Sequence, residues 1–192
     1  MTHASRKRFA LVLAVLSMAA FVTAQTTPEK FLGFKVGADR KLADFSQITA
    51  YFQKLAQESP KLKLFTIGES VQKRPIIMAA ISTPENLAKL DRWKEITHKL
   101  RDPRLTTPDE ARKLAREGKV ILLVTCSLHA TEIAASQMSM EFAYDLVTGK
   151  TFYDANKMLN DVIVLLVPTH NPDGNQLVAF PKDFLQNRRR YR

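Results

Sequence analysis

Leu42, Phe45, Ile48, Phe52 and Leu55 recur at steps of three and four residues, a spacing that predicts an amphipathic helix over 42–57. Glu58-Ser59-Pro60 closes it. From Lys61 to Ile67 polar and apolar residues alternate, as in a half-buried strand, and Pro75 to Ser82 supplies a partner across Gly68-Glu69-Ser70. Together these predict a hairpin. Thr83-Pro84 reads as a helix start, with Thr83 as N-cap and Pro84 in the first turn, and Leu87, Leu90, Trp93, Ile96 and Leu100 carry a helix over 86–100. Thr107-Pro108 opens another helix, 109–116, which Gly118 ends. Val120 to Cys126 is a continuous apolar, β-branched run that predicts a buried strand. A helix over 133–146 and a second core strand, Val162 to Val167, follow, and Asn171-Pro172-Asp173-Gly174 predicts a turn. Strands alternating with helices predict an α/β sheet with helices on both faces.

The first residues stand apart from this pattern. Arg6-Lys7-Arg8, the apolar stretch Phe9 to Val22 and the small residues before Gln25 have the anatomy of a secretory signal peptide, 1–24. Residues 25–40 then form an N-terminal lead, 41–180 the domain, and 181–192 a basic tail expected to be disordered. The 168 residues after Ala24 are enough for one genuine core. Cys126 is the only cysteine, so an internal disulfide is excluded, and the combination fits a bacterial periplasmic or extracellular setting. No stable membrane insertion is expected once the signal is cleaved.

Net charge is +10, which raises nucleic acid as a partner. Its distribution argues against that. Arg6, Lys7 and Arg8 with Arg188, Arg189, Arg190 and Arg192 carry seven of the ten excess charges, leaving three for the body. No nucleic-acid partner is therefore expected.

The candidate chemistry is at His129-Ala130-Thr131-Glu132, between the Val120–Cys126 strand and the following helix. Ligands of open α/β sheets bind outside the carboxyl ends of strands. Imidazole and carboxylate both suit Zn²⁺, whose catalytic sites use three protein ligands and keep one position open. His129 and Glu132 could supply two. Four residues with two fixed positions are a weak signal when taken alone.

Their context strengthens it. Leu128-His129-Ala130-Thr131-Glu132 resembles the first zinc motif of the carboxypeptidase A-like zinc carboxypeptidases. Asn171-Pro172-Asp173-Gly174 matches that family's turn after the next core strand. Gly68-Glu69-Ser70-Val71-Gln72-Lys73-Arg74-Pro75-Ile76 resembles its early hairpin, with Lys73 where the family usually has a second glycine. The three landmarks occur in family order, and the charged stretch from Pro84 to Gly118 resembles an insertion of bacterial members.

The resemblance implies an α/β fold with a mixed, mostly parallel sheet and helices on both faces, and an exported zinc-dependent metallocarboxypeptidase. It implies Zn²⁺ as cofactor, with His129 and Glu132 as metal ligands. The implied substrate is a peptide with a free C-terminal carboxylate. In that chemistry zinc polarises the scissile carbonyl and activates a water, a glutamate acts as general base, and arginines hold the terminal carboxylate.

The match covers the N-terminal portion of the family's domain. The later strands, the third ligand (a His) and the general-base Glu have no counterpart in the eighteen residues after Gly174. Of the other histidines, His3 lies in the signal, His98 in the charged insertion, and His170 at a position the family does not use. Asn187-Arg188 superficially resembles the family's carboxylate-binding pair but stands too early, so no catalytic or substrate-binding role is assigned. Two alternatives follow: a zinc deacylase or amidase of the same superfamily, or a non-catalytic fragment or pseudoenzyme.

Overall fold

The structure, a computed structural model, describes residues 24–179. The signal-like segment and the basic tail lie outside the described residues. A short helix, α1 (Pro28–Leu32), is capped by Thr27 and ends at Gly33 in the left-handed region. It leans on α2 (Phe45–Glu58), to which the lead is tied by Thr26 N–H and hydroxyl bonds to the Glu58 carboxylate at 2.7 and 2.9 Å. Asp44 and Gln47 form a reciprocal capping box at the start of α2, satisfying donors the first turn would otherwise leave unpaired.

The hairpin of β1 (Leu62–Glu69) and β2 (Pro75–Ile81) follows, with a bulge between Thr66 and Gly68. Thr83 and Pro84 begin a helix as expected, but α3 (Pro84–Leu87) is a single turn. A break at Ala88 and Lys89 separates it from α4 (Leu90–Arg101). The buried Asn86 amide of α3 ties it to Ser82, just past β2, and to a later helix, donating to Ser82 Oγ and to the carbonyls of Leu159 and Asn160. After α5 (Pro108–Glu117) comes β3 (Val120–Thr125). Then α6 (Ile133–Thr148), α7 (Ala155–Asp161), β4 (Val162–Val167) and α8 (Pro172–Ala179) complete the described chain.

The four strands form one sheet in the order β1-β2-β4-β3. The expectation of a mostly parallel sheet is overturned. β1 with β2 and β2 with β4 are antiparallel, and only β3 with β4 is parallel. A short turn can join only antiparallel neighbours, which settles the hairpin. A parallel pair needs a long crossover, and the α6–α7 connection supplies it. Alternation of strands and helices along the chain does not reveal that β4 enters between β2 and β3, running against β2.

Helices cover both faces, and the strands alternate between them. Ile77, Ala79, Ile81, Val164 and Leu166 join the large core with Ile48, Tyr51, Phe52 and Leu55 of α2 and Met140, Ala143 and Leu146 of α6. On the other face Ile163 packs with Trp93, Ile96 and Leu114. Of the run Val120–Cys126, Val120–Thr125 is a strand but not a buried one, and Cys126 just beyond it is buried. β3 forms an outer edge among the described residues, with Val120 62% and Leu123 60% exposed, whereas β4 lies inside. A continuous apolar run signals burial on both faces, and in β3 that burial is not supplied by the described residues.

Lys73 has a φ of 61°, in the left-handed region, within a turn closed by the Lys73 N–H to Ser70 carbonyl bond of 3.0 Å. A Cβ is strained there. Lys73→Gly is therefore expected to stabilise the chain by about 0.5–1 kcal/mol, after allowing for glycine's greater chain entropy. Its exposed Glu69 ion pair contributes little to set against that gain. Urea unfolding of the two proteins measures the difference.

Candidate functional site

His129 and Glu132 stand on the loop from Cys126 to Glu132 that leaves β3 at the carboxyl end of the parallel pair. Glu132 occupies the cap position just before α6 rather than its first turn. The helix dipole there favours a carboxylate. His129 Nδ1 lies 2.7 Å from Glu132 Oε1, and the His129 backbone N–H donates to Oε2 at 3.1 Å. Both side chains are solvent-accessible, at 71% and 52%. The imidazole at one oxygen, followed by the backbone N–H at the other, holds the Glu132 carboxyl below the usual carboxylate range. The pair thus sets an ionised carboxylate beside an imidazole nitrogen, 2.7 Å apart and open to solvent. That donor set fits two ligands of a catalytic zinc site. Among the described residues no third His, Cys, Asp or Glu joins them in a metal-ligating cluster. His170 reaches the loop only through its backbone, donating to the Cys126 carbonyl at 2.9 Å.

A buried hydroxyl chain fixes the loop from below. Ser127, itself at a φ of 51°, donates from Oγ to the Glu132 carbonyl at 2.6 Å. Ser136 of α6 donates to Ser127 Oγ at 2.7 Å and meets Thr169 Oγ1 at 3.0 Å. Hydroxyls at these positions satisfy polar backbone that a large apolar side chain would leave unpaired. Sequence reasoning missed all three. The available signal was the run Ala134-Ala135-Ser136-Gln137, small and polar residues at the start of a helix packed against the core.

The other two landmarks close around this loop. Asn171-Pro172-Asp173-Gly174 was expected to be a turn. It is the start of α8, with Pro172 as the first helical residue and Asn171 Oδ1 accepting the Gly174 N–H at 2.9 Å. An Asn that makes an Asx turn also makes an N-cap, so the local pattern permits both outcomes. A Cβ built on Gly174 would lie 2.8 Å from that of Ala130, so the start of α8 presses directly on the His129–Glu132 loop.

Asp173 in turn binds the hairpin. It accepts from Ser70 Oγ at 2.7 Å, from Arg74 Nη1 at 2.7 Å and from the Gln72 backbone N–H at 3.1 Å. Burial alone would raise the Asp173 pKa. The Ser70 and Arg74 hydrogen bonds, with the Gln72 N–H and the Arg74 charge, outweigh it and hold the carboxyl below its usual range. A carboxyl depressed by folding stabilises the fold above its ordinary pKa of about 3.9, and that contribution is lost as pH falls through the folded value. Asp173→Asn is therefore expected to cost about 1–2 kcal/mol at pH 7, with the difference closing below about pH 4. Denaturant unfolding of both proteins across that range checks the sign.

Three segments far apart in sequence thus meet at one end of the sheet: the hairpin turn, the His129–Glu132 loop and the start of α8. The chain belongs to the zinc carboxypeptidase family, whose profile matches residues 48–192. Carboxypeptidase E of Caenorhabditis elegans is 26% identical over 187 residues, covering 92% of this chain and 32% of that protein. The chain thus spans about a third of the length of this relative. In fold it is similar to thrombin activatable fibrinolysis inhibitor (TM-score 0.54, 12% identity, 85% of this chain and 32% of that one). It is also similar to carboxypeptidase A from Helicoverpa armigera (TM-score 0.50, 20% identity, 88% of this chain and 32% of that one). Among the described residues, no helix is long and apolar enough to cross a membrane.

Proposed function

We propose that this chain carries the His129–Glu132 half of a zinc-dependent metallocarboxypeptidase centre. The observation behind the reading is the 2.7 Å convergence of His129 Nδ1 and Glu132 Oε1, exposed to solvent and buttressed by the two other family landmarks. His129 and Glu132 would hold the metal, which when bound supplies Lewis acidity toward a scissile carbonyl. The chain's own residues do the positioning. Ser127, supported by Ser136 and Thr169, holds the Glu132 backbone, while Asp173 and Arg74 lock the hairpin against α8. Preorganisation of this kind keeps metal ligands within the narrow geometry that chemistry needs.

Peptides with a free C-terminal carboxylate are the proposed substrates of the complete centre. The signal-like pattern from Arg6 to Val22 and the single Cys126 support an exported setting. Two ligands stand on the described residues, and turnover by the full chain is a separate measurement. The full chain is incubated with zinc and N-blocked dipeptides, with and without chelator, and release of the C-terminal residue is followed. Chelator-sensitive release by the wild type, absent from His129→Ala, would overturn the half-site reading in favour of a complete enzyme. Cleavage of N-acylated single amino acids instead would favour the deacylase.

A further inference from the structure

The sheet face opposite α2 and α6 is only partly covered. Between α4 and the strands lies a groove of about 760 Å³, within the range of about 300–1,000 Å³ typical of small-molecule sites. Its apolar surface comes from Phe65, Met78 and Leu165, over the buried Ile163, with Trp93 among the lining residues. The polar lining residues are unevenly charged. Lys94, His98 and Arg101 lie at i, i+4 and i+7 of α4 and so share one stripe of the helix. Lys63 joins them from β1, and Asp91 is the single carboxylate of the lining.

The cations elsewhere on α4 are differently placed. Arg92 is paired with Glu95 and Glu117, and Lys99 with Glu95 and Glu110. Among the described residues, Lys63, Lys94 and Arg101 form no ion pair with a carboxylate. Lys63 lies over the Phe65 ring, and Arg101 meets the His98 ring at 3.2 Å and lies within electrostatic reach of Asp102, whose carboxylate is bound by Arg104. The helix therefore has one stripe whose cations are paired with carboxylates and another, beside an apolar floor, where cations outnumber the single lining carboxylate, Asp91. That arrangement complements a molecule with an anionic head and an apolar body.

We propose that the groove binds a free amphiphilic carboxylate of the medium- to long-chain fatty-acid class. The apolar chain lies on the Phe65–Met78–Leu165 floor and the head is held by Lys94 and Arg101, with Lys63 nearby. The inference is independent of the zinc site.

Trp93 is the chain's only tryptophan and lines the groove, so it reports occupancy directly. The full chain is titrated with dodecanoate below its micelle concentration while Trp93 emission is followed. Dodecyltrimethylammonium serves as the charge-reversed probe. The proposal predicts a saturable one-to-one change with dodecanoate, binding at least about tenfold weaker for the cationic probe, and a similar loss in Lys94→Glu/Arg101→Glu. Circular dichroism checks that the variant retains its fold, and Lys94→Arg retains binding. Equal binding of both probes, undiminished binding to the charge-reversed variant, or no saturable change overturns it. A concentration-dependent shift of Trp93 emission without any ligand would assign the groove to a second copy of the chain, and likewise overturns it.

Discussion

Phe52→Ala is expected to destabilise the chain by about 3–5 kcal/mol, the largest single effect the structure implies. Phe52 is fully buried at the centre of α2, in edge contact with Tyr51 and within the core shared by α2, α6 and the sheet. Removing the ring leaves a cavity that rigid strands on one side and two helices on the other cannot close. Native domains have only about 5–15 kcal/mol in hand, so this is a large fraction of the total. Thermal unfolding is expected to move down by roughly 6–20 °C for a chain of this size. Because α6 carries the His129–Glu132 loop, the loss reaches the site through the helix that supports it.

Gly174→Val is expected to cost about 3 kcal/mol and to disturb the site directly. A Cβ at this position would stand 2.7 Å from Asn171 Nδ2, 2.8 Å from Ala130 Cβ and 2.9 Å from Asn171 Cγ. Asn171 cannot swing away without releasing the Gly174 N–H that it caps, and Ala130 has no side-chain freedom with which to yield. The clash is therefore transmitted to the backbone between His129 and Glu132. Denaturant unfolding reads the stability cost. Zinc affinity of the folded fraction is expected to fall with it, by about tenfold or more, because displaced ligands lose the common focus.

Much of the architecture was legible because its residues act locally. Leu42 to Leu55 has helical periodicity, and α2 forms there with Asp44 and Gln47 as its capping box. Thr83-Pro84 and Thr107-Pro108 mark helix starts, since each threonine hydroxyl accepts a backbone N–H three residues on. The sheet's direction was not legible in this way. Nothing in Val162–Val167 records that it pairs antiparallel with β2 and parallel with β3, because strand order depends on contacts between distant segments. Nor does Val120–Thr125 reveal that it is an edge among the described residues. Its apolar character states what the strand requires, and its neighbours decide what it receives.

At the site, His129 and Glu132 were legible as a pair, and the structure brings them within hydrogen-bonding distance. The scaffold was not. Ser127, Ser136 and Thr169 are ordinary residues in sequence and become significant only when three elements fold together. Lys73 is the reverse case. It departs from the glycine usual at that point of the family hairpin, and its backbone adopts the conformation that glycine takes most easily.

The proposed role of His129 and Glu132 as joint zinc ligands is open to a binding measurement. Calorimetric titration of zinc into the full chain tests it most directly, with His129→Ala and Glu132→Ala titrated in parallel. One zinc per wild-type chain is expected, with affinity reduced by more than about tenfold in either variant. If the wild type binds zinc no better than His129→Ala, the pair is a hydrogen bond and not a metal site.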